Sequence, residues 1–182
     1  MYLNTGPHHP WPHPVQIRWN YPYWSYPWNP PYDNRLASNR YPYFRSPQFM
    51  DYGTKPFVIN LEQAAEQNRT FRTAIWTGKH FQVTLMSINV GDDIGLEVHP
   101  TTDQFTRIEE GQGLVQMGDS RDNLDFQEMA YENDAIMIPA GKWHNVTNTG
   151  NTPLKVSVIY APPEHPFGTI HETKAAAMAA EE

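Results

Sequence analysis

Two stretches decide the fold of this chain: GDDIGLEVHPTTDQFTRIEEG at residues 91–111 and PAGKWHNVTN at residues 139–148. Each combines β-prone residues with glycine, proline or paired acidic residues that favour turns. Together they contain four polar side chains of the kinds that ligate metal ions, namely Glu97, His99, Gln104 and His144. Because side chains two residues apart on a strand point to the same side, Glu97 and His99 are expected to share one face.

The spacing of these residues resembles the two signature motifs of the cupin superfamily. The first stretch reads G-x5-E-x-H-x4-Q-x6-G and the second reads P-x-G-x2-H-x3-N. Cupins usually write the first motif as G-x5-H-x-H-x(3,4)-E-x6-G, so Glu97 stands in place of a histidine and Gln104 in place of the glutamate. The resemblance covers roughly residues 80–165. It is to single-domain bacterial cupins that are loosely related to mannose-6-phosphate isomerases and occur in spore-forming bacteria.

This resemblance implies an all-β cupin double-stranded β-helix, which is a jelly-roll barrel. In that fold the four positions converge on one point of the barrel lumen, so it implies a ligand set of Glu97, His99, Gln104 and His144. The glycines and the proline of the two motifs match structural positions of the family.

The remainder of the chain after residue 53 favours short strands separated by polar turns, which is typical of a β-sandwich or barrel. Strands are predicted at residues 57–60, 71–76, 81–90, 94–98, 104–109, 113–117, 135–138, 144–147 and 154–160. A short helix is predicted at residues 61–68, with Asn60 as its N-cap and Gln63 at the third helical position. The alanine-rich segment 172–182 predicts a short C-terminal helix.

Residues 1–52 differ in composition and are predicted to form an extended arm, separate from a cupin barrel domain at residues 53–182. The arm contains 10 prolines, 8 tyrosines and 4 tryptophans. Proline favours extended geometry, whereas disordered tails are usually poor in aromatic residues. Two interpretations stay open: a flexible tail, or an arm that lies on its own barrel or on a neighbouring copy. Because aromatic residues are favoured at interfaces, we expect homo-oligomers with arm-mediated contacts.

The charge distribution disfavours nucleic acids and anionic membranes as partners. The formal net charge is −7, and the arm, with four arginines and two aspartates, contributes +2, so residues 53–182 carry −9. Such an acidic body lacks the basic footprint that both partners require. The sequence shows neither an apolar run long enough to span a bilayer nor the pattern of a secretory signal. A cytoplasmic location is expected, and the resemblance adds the spore coat or spore surface as an alternative.

The converging side chains offer two imidazoles, one carboxylate and one amide oxygen, a set that suits Zn, Mn, Fe, Ni or Co rather than a soft ion. The usual cupin set of three histidines and one glutamate carries one negative charge. This set also carries one, moved from the position of Gln104 to that of Glu97. A retained site for one divalent transition metal is therefore expected. The alternative is a barrel without metal, in which burial would raise the pKa of Glu97 and leave it protonated, bonded to Gln104 or His99.

The sequence supports two functional hypotheses. The first is a metal-binding cupin that takes a small sugar-like or oxygen-rich ligand, with isomerase- or dioxygenase-like chemistry if it is an enzyme. The second is a structural or assembly protein of the spore coat or surface that uses the arm and has a non-catalytic barrel. No catalytic residue is assigned, since no nucleophile motif is present and cysteine is absent.

Further polar residues are candidates to line the barrel mouth. Tyr160 ends the last long predicted strand, and Arg72 lies in the predicted strand at residues 71–76. An exposed charge is an equally good interpretation of Arg72, since arginine is rarely buried without a partner. His165 and His171 either cover the barrel opening or lie in surface turns, and we expect surface turns.

Overall fold

The computed structural model describes residues 49–180, and these form two facing β-sheets with short flanking helices. The described elements are α1 Leu61–Gln67, β1 Arg72–Thr77, β2 Gln82–Ile88, β3 Asp103–Glu110, β4 Gln112–Gly118, β5 Phe126–Tyr131, β6 Ala135–Ile138, β7 Trp143–Asn148, β8 Leu154–Ala161, β9 Ile170–His171 and α2 Lys174–Ala180. This is the all-β jelly-roll architecture that the sequence predicts, together with the predicted C-terminal helix.

The two sheets enclose an apolar core. The larger sheet has the strand order β6-β3-β8-β2-β1-β9, and the smaller has the order β5-β4-β7. Both sheets supply side chains to one buried cluster, which includes Met86, Ile88, Ile108, Val115, Val146 and Val156. Because each fully buried side chain of this size contributes about 1.5–3 kcal/mol, this cluster holds the two sheets together.

The lumen becomes polar toward one end, which we call the polar end. Residues Gln82 and Thr84 precede the core residues of β2, and Gln104 and Thr106 precede those of β3. Strand β8 runs antiparallel between these two strands, so its last buried residue, Tyr160, pairs with both Gln82 and Gln104. The antiparallel register therefore gathers the polar positions of three strands at the same end of the barrel.

The outer face of the larger sheet is covered by α1. Ala64 and Ala65 of this helix are buried against Ile75 and Leu85. The helix begins where the sequence predicts, because the side chain of Asn60 accepts a hydrogen bond from the backbone N–H of Gln63 at 3.1 Å.

Two predicted strands are wrong. Residues 57–60 form no strand, and Ile59 instead packs against the outer cluster while Asn60 caps α1. Residues 94–98 form only an isolated bridge to β7, because Gly95 adopts a φ of +90° and interrupts the extended backbone. The carboxylate of Asp93 stabilises this break by accepting the Gly95 N–H at 2.6 Å.

The sequence reasoning also missed two strands, β5 and β9. Five of the six residues of β5 are exposed, so it lacks the alternation of buried and exposed residues that reveals a strand. Strand β9 has only two residues, which is too short for any periodic signal.

Most of the predicted arm, residues 1–48, lies outside the described residues, and the predicted boundary at residue 52 stays a prediction. The last few residues before that boundary contact the barrel. Phe49 packs against the outer cluster, and the Asp51 carboxylate accepts the backbone N–H of Gly168 at 3.0 Å. Neither helix within residues 49–180 is long or apolar enough to cross a membrane.

Candidate metal centre

A backbone pairing brings Glu97 and His144 together. The N–H of Glu97 donates to the carbonyl of His144 at 3.1 Å, and the N–H of His144 donates to the carbonyl of Glu97 at 2.9 Å. Residues that exchange both backbone hydrogen bonds in this way place their side chains next to each other on one face. Glu97 is therefore fixed beside His144 of β7 although it belongs to no regular strand.

His99 is fixed by the turn of the second motif. Its carbonyl accepts the N–H of Gly141 at 2.8 Å, and Gly141 adopts a φ of +80°, a conformation that glycine reaches at little cost. The turn is closed by a hydrogen bond from the N–H of Lys142 to the carbonyl of Pro139 at 3.2 Å. The two motifs thus dock on each other, and the rings of His99 and His144 lie 5.5 Å apart.

Three potential ligand atoms meet at this point. Oε1 of Glu97 lies 3.4 Å from Nε2 of His99 and 3.4 Å from Nε2 of His144, and all three atoms lie within 4.8 Å of one another. Each atom is buried without a hydrogen-bond partner among the described residues. An unsatisfied buried polar atom typically costs about 1–3 kcal/mol, so this arrangement suits a cation held between the three atoms.

In each imidazole, the second ring nitrogen, Nδ1, contacts an oxygen atom that does not belong to the three potential ligand atoms. Nδ1 of His144 lies 2.9 Å from the carbonyl oxygen of Lys142, and Nδ1 of His99 lies 3.1 Å from a carboxylate oxygen of Glu164. With a cation bound, each neutral ring would carry its proton on Nδ1, donate it to that oxygen and leave the lone pair of Nε2 for the cation. Metal-binding histidines are commonly oriented by such outer contacts.

Gln104 lies at the polar end of the lumen, and its amide is oriented by a neighbour on the same strand. The amide nitrogen donates to the hydroxyl of Thr106 at 3.2 Å. The amide oxygen is buried and has no hydrogen-bond partner among the described residues. Gln104 therefore has a free oxygen ligand, and its coordination to the same ion stays a prediction.

Arg72 is a buried member of this site. Its side chain is 1% exposed, and a guanidinium nitrogen lies 3.6 Å from Oε2 of Glu97. The interpretation of Arg72 as an exposed charge is therefore wrong. The register of β1 on β2 explains the burial, since Arg72 pairs with the core residue Met86.

The charge of Glu97 is stabilised even without a metal. Burial disfavours its ionised form, but the contacts with His144 and His99 and the positive charge of Arg72 outweigh burial and lower the pKa of Glu97 to about 2. The expectation that a metal-free Glu97 would be protonated is thus wrong. Burial also lowers the pKa of His99, but the carboxylates of Glu97 and Glu164 outweigh this effect and raise it.

The site opens into a cavity of about 470 Å³. Its wall includes Glu97, His99, Glu164, His165, Thr169 and His171. His165 is only 8% exposed, so the expectation of a surface turn is wrong for this residue. His171 is half-buried on the same wall, and Tyr160 lies buried between the rings of His99 and His165 at 5.6 and 4.9 Å.

Sequence reasoning missed Glu164. Only its position in the sequence could have indicated a role in the site. It follows Pro162-Pro163 directly after β8, the strand that ends at the polar end. Nothing in its own identity separates it from the other acidic residues of the chain. The three donor atoms that meet at this point, two imidazole nitrogens and one carboxylate oxygen, suit a divalent transition metal.

Comparison with known proteins agrees with this architecture. Residues 84–160 match the cupin domain family. The chain is 60% identical over 161 residues to the uncharacterized protein YrkC of Bacillus subtilis (strain 168), a match that covers 88% of this chain and 87% of that protein.

Solved structures show the same fold. The crystal structure of BH2720 from Bacillus halodurans is 65% identical with a TM-score of 0.71, covering 71% of this chain and 98% of that one. A conserved protein with a double-stranded β-helix domain from Klebsiella pneumoniae is 15% identical with a TM-score of 0.50, covering 65% of this chain and 100% of that one, and shows the fold alone. With its two motifs docked in a jelly-roll barrel, this chain belongs to the cupin superfamily.

Proposed function

We propose that this protein binds one divalent transition-metal ion (Zn, Mn, Fe, Ni or Co) and presents it to a small oxygen-rich molecule. The proposed ligands are Glu97, His99, Gln104 and His144. The observation that carries the proposal is that Oε1 of Glu97, Nε2 of both histidines and Oε1 of Gln104 are all buried without hydrogen-bond partners among residues 49–180. Four such atoms on the four motif positions are costly unless a cation satisfies them.

When bound, such an ion would supply Lewis acidity toward a carbonyl or hydroxyl oxygen, which serves isomerase-like chemistry, whereas dioxygenase-like chemistry would also need a redox-active ion such as Fe or Mn. The surrounding residues prepare the site for it. Arg72 faces Oε2 of Glu97, which leaves Oε1 directed at the two imidazoles. Glu164 and the carbonyl of Lys142 hold the Nδ1 atoms, so both Nε2 atoms face inward.

Protein purified without chelators is expected to contain about one divalent ion per chain by elemental analysis. The double variant Glu97→Ala, His144→Ala removes two ligands and should lose this ion. Gln104→Leu should weaken binding roughly 10- to 100-fold if the amide oxygen is a ligand. His80→Ala, which alters an exposed histidine outside the site, is the matched control and should retain the ion. Wild-type protein without any bound ion would contradict the proposal.

Glu164 is expected to act as a positioning residue for His99. Glu164→Ala should weaken metal binding about 10-fold or more, and Glu164→Gln, whose amide oxygen still accepts the Nδ1 proton, should restore most of it. In metal-free protein, where Glu97 and Glu164 both raise the pKa of His99, Glu164→Ala should lower that pKa in an NMR titration of the His99 ring.

Glu132→Ala removes an exposed carboxylate elsewhere and should change neither measurement. An unchanged pKa of His99 and unchanged metal affinity in Glu164→Ala would show that the contact has no positioning role.

An assembly role through the arm is the second candidate function. One observation favours it: the match to YrkC covers 88% of this chain, about 160 residues, whereas residues 53–182 number only 130. At least about 30 residues of the predicted arm therefore lie inside the match. The Bacillus subtilis protein thus carries a segment that corresponds to part of the arm. In this alternative the barrel is non-catalytic, and the arm mediates self-association in the spore coat or at the spore surface.

Removal of residues 2–48 tests this role while leaving Asp51 and its contact with the barrel in place. We expect the truncated protein to form a smaller oligomer than the full chain in light scattering, because the aromatic surface of the arm is lost. Its metal content should equal that of the full chain, which separates the two candidate functions. An unchanged oligomer mass and unchanged solubility would contradict the assembly role.

A further inference from the structure

His165 lies on the cavity wall, and neighbouring side chains hold both its backbone and its ring. The backbone of this residue is held at two points by the side chain of Gln82, which donates to its carbonyl at 2.9 Å and accepts its N–H at 3.1 Å. Its ring packs edge-on against Tyr160. Because its backbone is held and its ring is packed against Tyr160, the side chain of His165 loses little further freedom when it binds a ligand.

The imidazole of His165 is buried and incompletely satisfied. Its Nε2 atom has no hydrogen-bond partner among the described residues, although the residue is only 8% exposed. Burial, together with the nearby charge of Arg72, lowers the pKa of His165 to about 3, so the ring is neutral at physiological pH. A neutral imidazole can donate or accept a hydrogen bond but offers no charge to an anion.

The charges on the cavity wall restrict the ligand further. Glu97 and Glu164 contribute carboxylates to the wall, and no lysine or arginine is among its described residues. A phosphate ester would therefore meet the like charge of two carboxylates on this wall, and only an ion at the proposed metal centre or a protonated His99 would offset that charge. Hydroxyl groups suit this wall better, because each can donate to a carboxylate and accept from, or donate to, an imidazole.

We propose that this cavity binds an uncharged, polyhydroxylated molecule of about monosaccharide size, with Nε2 of His165 hydrogen-bonded to one of its hydroxyl groups. The volume of about 470 Å³ lies within the usual range for small-molecule sites. The proposal names a ligand class for the proposed metal-binding site, and it therefore rests on the proposed function. His165 itself lies outside the predicted ligand set, so its contribution is measurable with and without metal.

The test uses the full-length protein, metal-stripped and metal-loaded, with D-glucose, D-xylose and D-glucose 6-phosphate as probes in ligand-observed NMR titrations. We expect at least one of the two neutral sugars to bind more tightly than the phosphate ester. His165→Phe keeps a ring against Tyr160 but removes the nitrogen, and should weaken that binding roughly 5- to 10-fold. His165→Gln, which retains hydrogen-bonding groups, should lose less.

His80→Phe places the same change at an exposed histidine and should leave binding unaffected. Thermal unfolding of every variant separates lost binding from lost folding. Tighter binding of the phosphate ester, equal binding by wild type and folded His165→Phe, or no sugar binding in either metal state would overturn the proposal. Metal content, determined on the same samples, reports separately on the proposed function, because sugar binding by the metal-stripped protein does not depend on it.

Discussion

The reciprocal backbone pairing of Glu97 with His144 is the constraint on which the site depends. It joins the first motif, which has no regular strand of its own at this point, to β7 of the smaller sheet. Because the pairing uses backbone atoms, it fixes both side chains on one face whatever they are. The backbone N–H of Gly141 donates to the carbonyl of His99, and this hydrogen bond positions His99 beside the pair. The cupin barrel thus fixes positions in space, and the side chains at those positions determine the chemistry.

The carboxylate at position 97 is tolerated because the larger sheet supplies a counter-charge. Arg72 on β1 faces one carboxylate oxygen, and the two imidazoles face the other. This division keeps Glu97 ionised in a buried place where an isolated carboxylate would be protonated. Glu97, which replaces the usual histidine of the cupin motif, is therefore paired with Arg72, a residue outside both motifs.

The sequence was sufficient for the parts of the structure that follow local rules. The strand pattern predicted the all-β fold. The resemblance to cupins implied that Glu97, His99 and His144 converge, and in the structure their potential ligand atoms lie together. The sequence was insufficient to predict burial and contacts that depend on the register of strands distant in the chain. The burial of Arg72 follows from its pairing with β2, and that of His165 from the clamp by Gln82, 83 residues earlier. The irregular segment at residues 94–98 depends on a glycine with positive φ, which apolar patterning does not reveal.

The central claim is that the buried donors of the barrel share one metal ion, and anomalous diffraction tests it most directly. Crystals of the full-length protein, purified without chelators, would be measured on both sides of the absorption edge of the metal found. The account predicts one anomalous peak within bonding distance of Glu97, both histidines and Gln104. A well-ordered site with no peak, in which Glu97 is hydrogen-bonded to Arg72 and both imidazoles instead, would contradict it.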